Sequence, residues 1–281
     1  MTDDPAALLG DLRQLRRKVR RDRSGCAFPL LLFGMLILAA PLCYETIRPE
    51  IGQVYERAAG PFPVFRYIWL PLKHEVLVQW YWMLALLAGF GATMWWYRRR
   101  AAQVGVETDL SGYLAAAGAG LVGVVFGVPV LAETVTVSNS LYSTPEVNLP
   151  IAFGSAAGSV VAFFLGTRRA HWRPVAVLAG TVLGMITLAA IGVYLVNGYS
   201  ALLVIAVAML VLAWVERSHL VAVTAALFTA ASIHANLQGF AQLVPYTDDG
   251  RVMVLADLAL PAGVLIIGGV IALLMSRRAL A

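Results

Sequence analysis

The sequence predicts an all-α, polytopic helical membrane protein with eight transmembrane helices and cytoplasmic N- and C-termini. Three observations carry that prediction. The 281 residues are 60% hydrophobic and 13% charged, with a mean hydropathy of +0.77, whereas a soluble domain carries roughly a quarter charged residues. Residues 24–44, 76–97, 110–132, 147–167, 174–215, 218–247 and 258–276 contain no Asp, Glu, Lys or Arg, and a charge at mid-bilayer costs about 2.5–3.5 kcal/mol. Finally, placing the N-terminus inside puts 16 of the 21 basic residues on the cytoplasmic side, as the positive-inside rule requires. This composition excludes a soluble enzyme, a disordered tail and a disulfide-stapled secreted module.

The chain opens with residues 1–23, read as a cytoplasmic amphipathic basic helix. Leu8, Leu12, Leu15 and Val19 form a narrow apolar stripe opposite Arg13, Arg16, Arg17 and Arg20. Such a helix suits an anionic membrane surface or, by its spacing, a helical partner; its basic charge also serves simply to set topology. Residues 24–278 then form one transmembrane domain. Its first span, 26–44, is expected to remain as an anchor, because no small-x-small cleavage site precedes Glu45. Outer loop 45–75 follows, where Pro49, Pro61, Pro63 and Pro71 alternate with Phe62, Phe65, Tyr67 and Trp69; that mixture favours a structured lid at the interface. The next spans are 76–97, 111–132 and 149–167. The run 174–215 is too long for one helix, and Asn197-Gly198 near its middle is strong turn chemistry. It divides into spans 174–196 and 199–215. Spans 220–243 and 253–275 complete the eight. Cys26 and Cys43 lie on one span about 25 Å apart, too far for a disulfide.

Two patterns inside the spans attract a functional reading. Small residues recur every four positions: Ala119, Gly123 and Gly127 in the third span, Gly154 and Gly158 in the fourth, Gly180 and Gly184 in the fifth. Such rows let helix backbones approach closely, and they predict a tight pair of spans three and four. They serve plain packing or a sliding interface. The second pattern is polar. His234, Gln238 and Gln242 recur on one face of span seven beside Asn236, and Asp257 stands within span eight. Each must find a partner or water. The two readings are an outward-facing cavity for a ligand or a proton, and interhelical hydrogen bonding with an Asp257 that snorkels.

Catalytic chemistry is not expected. Gly154-Ser155-Ala156-Ala157-Gly158 departs from the Gly-x-Ser-Gly order of rhomboid proteases, and no span has metal-ligand spacing. No metal site and no cofactor are expected, and no nucleic acid, since no aromatic or motif accompanies the basic run. The pattern Trp95-Trp96-Tyr97-Arg98-Arg99-Arg100, with Trp214-Val215-Glu216-Arg217-Ser218, resembles uncharacterised multi-pass membrane proteins of high-GC Gram-positive bacteria. The resemblance implies a bacterial cytoplasmic membrane location and carries no activity. The expected function is a transporter, or the membrane subunit of a transport or export complex. With no Gly-x-x-x-x-Gly-Lys-Ser/Thr loop, the chain lacks its own ATPase. The alternative is a non-transporting accessory or sensor acting through residues 1–23 or the outer loops. Expected partners are the lipid bilayer, a separate ATPase or permease subunit, and further copies of the chain in a homo-oligomer.

Overall fold

The computed structural model describes residues 26–46, 61–62, 65, 72–104, 145–168, 173–192, 198–216, 218–237, 239 and 249–278. Among them lie seven α-helices and no strand beyond an isolated bridge between Thr46 and Leu72. Helix α1 spans Ala27–Ala39 and tightens into a 3-10 turn at Ala40–Cys43. It is followed by α2 (Glu75–Val104), α3 (Pro145–Arg168), α4 (Arg173–Gly192), α5 (Ser200–Glu216), α6 (His219–Leu237) and α7 (Gly250–Arg278). These fall on seven of the eight expected spans; residues 1–23 and 111–132 lie outside the described residues. Windows within four helices are long and apolar enough to cross a membrane: Glu75–Arg100, Leu149–Gly166, His219–Leu237 and Gly250–Ser276. Ala27–Cys43 and Ser200–Ala213 are apolar but shorter.

Local chemistry sets the helix ends. Gly198 has φ 75° immediately before α5, so the long apolar run is divided at the Asn-Gly turn, where only glycine enters the left-handed region freely. Gly239, at φ 66°, donates its N–H to the His234 carbonyl at 3.0 Å and closes α6 at Leu237. That span was expected to reach residue 243; residues 240–243 lie outside the described residues. Asp249 caps α7, its Oδ1 accepting the Arg251 N–H at 3.0 Å.

Helices α1, α2, α5, α6 and α7 form one body, in which α1 against α7 and α5 against α6 are the most extensive contacts. Its core runs through Leu30, Phe33, Ile37, Trp82, Leu86, Ile205, Met209, Phe228, Leu258 and Leu265. Glycines set the close approaches. A Cβ on Gly34 would lie 2.6 Å from Ile266 Cγ1 and 3.3 Å from the Ala262 carbonyl; on Gly89, 2.6 Å from Phe33 Cε1; on Gly268, 2.5 Å from Thr224 Cγ2. The outward faces carry aliphatic side chains such as Leu84, Leu227, Ile267 and Leu274, which suits helices surrounded by lipid.

Helices α3 and α4 pack chiefly on each other. Ser155 and Thr187 share a hydrogen bond of 2.8 Å, and Ser159 donates to the Gly180 carbonyl at 2.7 Å. Gly158 receives Leu183 and Gly180 receives Phe163. The glycine row of α3 therefore meets α4 at Gly158, while a Cβ on Gly154 would touch nothing among the described residues. Ala119, Gly123 and Gly127, the expected facing row, lie outside those residues.

At one end of the body a clasp ties three segments together. Lys73 Nζ lies 3.1 Å from Glu45 Oε1 and Arg251 Nη2 lies 3.5 Å from Oε2. The Lys73 N–H donates to the Glu45 carbonyl at 2.8 Å, and the Gly250 N–H to Thr46 Oγ1 at 3.3 Å. The Lys73 hydrogen bond, then the Lys73 charge, and with them Arg251, hold the Glu45 carboxyl below its ordinary 4.5. A lowered pKa means the carboxylate supports the fold above its ordinary value, and that support fades as pH falls through the lowered one.

Two predictions follow from this packing. Gly34→Leu is expected to lower stability by about 1–3 kcal/mol through overpacking against backbone, whereas Gly154→Leu is expected to change little; unfolding followed by circular dichroism in detergent compares them. Glu45→Gln at neutral pH is expected to speed hydrogen exchange of the Lys73 and Gly250 amides by about fivefold at most, as befits an exposed ion pair.

Candidate functional site

A polar cluster lies just inside the clasp, and Tyr199 is at its centre. Tyr199 sits immediately before α5, held there by the Gly198 turn, with its side chain fully buried. Its hydroxyl donates to Asp257 Oδ2 of α7 at 3.2 Å, and its carbonyl accepts from Asn236 Nδ2 of α6 at 3.1 Å. One residue thus joins three helices. Tyr44, from the end of α1, stands beside it with ring centroids 6.2 Å apart, and Trp82 Nε1 of α2 donates to the Tyr44 hydroxyl at 2.8 Å. Asp257 is 3% exposed, about 10 Å into α7.

The register of α6 on α7 places the remaining members. The two helices run antiparallel, and Gly268 meets Thr224. Counting eleven residues back along α7 and eleven forward along α6 brings Asp257 level with Ala235, between Ser232 and Asn236. Both are fully buried. Asn236 Nδ2 also donates to the Ser232 carbonyl at 2.9 Å, so both amide hydrogens are committed and Oδ1 is left as the acceptor. Asn236 Oδ1 and Ser232 Oγ have no hydrogen-bond partner among the described residues, a costly condition in a core. Pro261 stands four residues after Asp257 inside α7, and it cannot supply the N–H that the Asp257 carbonyl would otherwise receive.

Of the polar residues singled out from the sequence, the structure brings Asn236 and Asp257 together through Tyr199. His234 is two positions from both Ser232 and Asn236, about 200° around the helix, and lies on the outward face. There it lines an open groove of about 460 Å³ with Ala230, Ile233 and Leu237. The expected face therefore looks away from the buried cluster, while Gln238 and Gln242 lie outside the described residues. Tyr199 and Pro261 were missed as members of one site, whereas Ser232 is one of the polar residues that the sequence shows in span seven. Tyrosine directly after the Asn-Gly turn, and proline four residues after an intramembrane aspartate, were the available signals.

A second polar group closes the opposite end. Tyr97 of α2 donates to Glu216 Oε1 of α5, with Cys26 and Arg100 close by, and Phe28 stacks on Trp96 at 4.8 Å. Between the two ends the buried face of α5 is apolar, through Leu202, Ile205, Met209 and Leu212. Among the described residues no three His, Cys, Asp or Glu side chains gather as a metal site would need.

Fold and site together define a helical protein with helices long and apolar enough to cross a membrane, and an oxygen-rich cluster buried at one end. The chain matches no protein-family model, no curated protein and no solved structure.

Tyr199→Phe removes the hydroxyl and keeps the carbonyl that receives Asn236. It is expected to lower stability by about 1.5–3 kcal/mol, the range for a hydrogen bond to a charged group, read from the same detergent unfolding curves.

Proposed function

We propose that this chain is a transporter, or the membrane subunit of a transport or export complex, spanning a bacterial cytoplasmic membrane eight times with both termini in the cytoplasm. The observation that carries it is Asp257: an aspartate within an apolar helix, 3% exposed and hydrogen-bonded to a tyrosine of another helix. An ionisable group inside a membrane span is costly and marks an ion or substrate path more often than plain structure. A proline four residues on leaves the Asp257 carbonyl without the N–H that the continuous helix would otherwise supply to it.

Helix direction supports the span count. Helices α2 and α5 run parallel: Tyr44 joins their first turns, through Trp82 and Tyr199, and Tyr97 meets Glu216 near their last. If every helix crosses, an odd number of crossings separates them. Helices α3 and α4 supply two, and 111–132 is the proposed third. The start of α1 and the end of α7 also share one end, since Leu31 meets Gly269 and Gly34 meets Ile266. Arg98, Arg99 and Arg100 close α2 at that same end, which suits a cytoplasmic assignment.

In liposomes, the purified chain is expected to dissipate an imposed ion gradient, with Asp257→Asn slowing the rate at least about tenfold. If it works as a subunit, an ATPase or permease is expected to co-purify from native membranes and to detach when residues 1–23 are deleted. Neither flux nor such a partner would remove the transport reading. The accessory or sensor reading is favoured by the clasp of Glu45, Lys73 and Arg251, which gathers exposed charged groups at one end of the molecule as a contact surface. It gains ground if a partner instead detaches on replacing these clasp residues.

A further inference from the structure

We infer that the outward face of α2 is a binding site for a phospholipid with an anionic headgroup, its phosphate held by Arg98 and Arg99 and an acyl chain laid along the helix beyond them. It rests on the proposed function only in that α2 crosses a bilayer with these arginines at its cytoplasmic end; it requires no transport.

The register of α2 gathers the parts on one side. Leu84, Leu87, Gly91, Trp95, Arg98 and Arg99 are all exposed, and at 3.6 residues per turn they fall within an arc of about 120°. A Cβ on Gly91 would meet nothing within 4 Å, so the face is notched there, between the two leucines and the Trp95 ring. From Leu84 to Trp95 the helix rises about 17 Å, close to half of a hydrocarbon core of about 30 Å. That is the depth of one leaflet, so an acyl chain that starts beside Trp95 ends near Leu84. Trp95 itself suits the level of the headgroups.

The arginines supply the charge. Arg98 and Arg99 have no carboxylate within ion-pair distance among the described residues, where both ion pairs belong to Glu45 at the other end of the body. Arg100 is turned elsewhere, toward Cys26. The Arg99 guanidinium lies over the Trp95 ring, 5.3 Å from its centroid. That contact uses its flat face and leaves its N–H edge for a phosphate. Two cations lacking a counter-charge favour a lipid with net negative charge, since a phosphatidylcholine carries its own cation beside the phosphate. A second copy of the chain is a poorer occupant. Copies in one membrane share an orientation, so each would bring its own Arg98 and Arg99 to the same depth, like charge against like.

The test uses the full-length chain in detergent, incubated with equal amounts of phosphatidylglycerol and phosphatidylcholine of matched acyl chains, repurified, and assayed by mass spectrometry for lipid retained per chain. One phosphatidylglycerol is expected to be retained in preference to phosphatidylcholine. Replacing both arginines, Arg98→Gln with Arg99→Gln, is expected to weaken retention about thirtyfold, the product of about fivefold for each charge. Gly91→Leu fills the notch, keeps both charges and touches nothing in the fold; it is expected to leave the unfolding midpoint unchanged and to weaken retention several-fold. No preference for phosphatidylglycerol would overturn the inference. So would retention undiminished in Gly91→Leu, which would mean headgroup attraction without a seat for the chain, or a dimer in detergent that Gly91→Leu dissociates, which would place a second copy on this face. A chain released from membranes by alkaline carbonate would remove the membrane reading itself, whereas a chain that stays in the membrane and shows no lipid preference would remove the lipid site alone.

Discussion

Three helices of this protein meet through the two ends of one tyrosine. The Tyr199 carbonyl accepts the Leu202 N–H of the first turn of α5 and, on its second lone pair, the Asn236 amide, while its hydroxyl reaches Asp257 across the interface with α7. Neither contact would form if Gly198 did not turn the chain at positive φ just before it. The close packing elsewhere depends on this junction being in register. Gly268 must face Thr224, and Gly34 and Gly269 must face Ile266 and Leu31, for α6, α7 and α1 to approach as they do. Apolar side chains slide past one another at little cost in lipid, where packing and interhelical hydrogen bonds decide association. A polar group with one acceptable partner does not slide. Tyr199 therefore supplies the register that the glycines then exploit.

The helices themselves were legible in the sequence because their signal is one of exclusion. Charge-free windows located seven elements that the structure describes as helices, and the Asn-Gly dipeptide divided the longest. Helix ends were less legible. Helix α6 ends at Leu237, with Gly239 at positive φ just beyond it, and a lone glycine in an apolar run is ambiguous between packing and capping. The site was legible only in part. Residue types flagged Asn236 and Asp257, but a four-residue period chose His234 as their companion on span seven. Periodicity reports which residues share a face; it does not report which face turns inward. Here the inward face carries small polar groups, Thr224, Ser232 and Asn236, and the outward one carries the histidine.

The distribution of polarity limits how such a molecule could act. Polar clusters occupy both ends of the body, around Asp257 and around Glu216, while the buried face of α5 between them is packed with aliphatic side chains. A continuous hydrated path along α5 is incompatible with that packing, because apolar interiors packed to crystal density hold no chain of waters. Helices α3 and α4 stand apart from that body among the described residues: they are joined to each other by Ser155, Thr187, Ser159 and Gly180, and they make few contacts with the remaining five helices.

The two ends also differ in how firmly they are held. At the Asp257 end, Glu45 binds Lys73 and Arg251 at once, and the Gly250 amide is fixed to Thr46, so the loop after α1 is fastened directly over the start of α7. Each link is exposed and individually weak. Together they hold these segments at the end where Tyr199, Asn236 and Asp257 meet. One carboxylate stands between two basic side chains there, so its attraction to each is set against their repulsion of one another. Neutralising Glu45 would therefore act twice, removing both attractions while the repulsion between Lys73 and Arg251 remains. The clasp is weakest at low pH for that reason, where protonation of Glu45 leaves only the backbone hydrogen bonds of Lys73 and Gly250 to hold the segments.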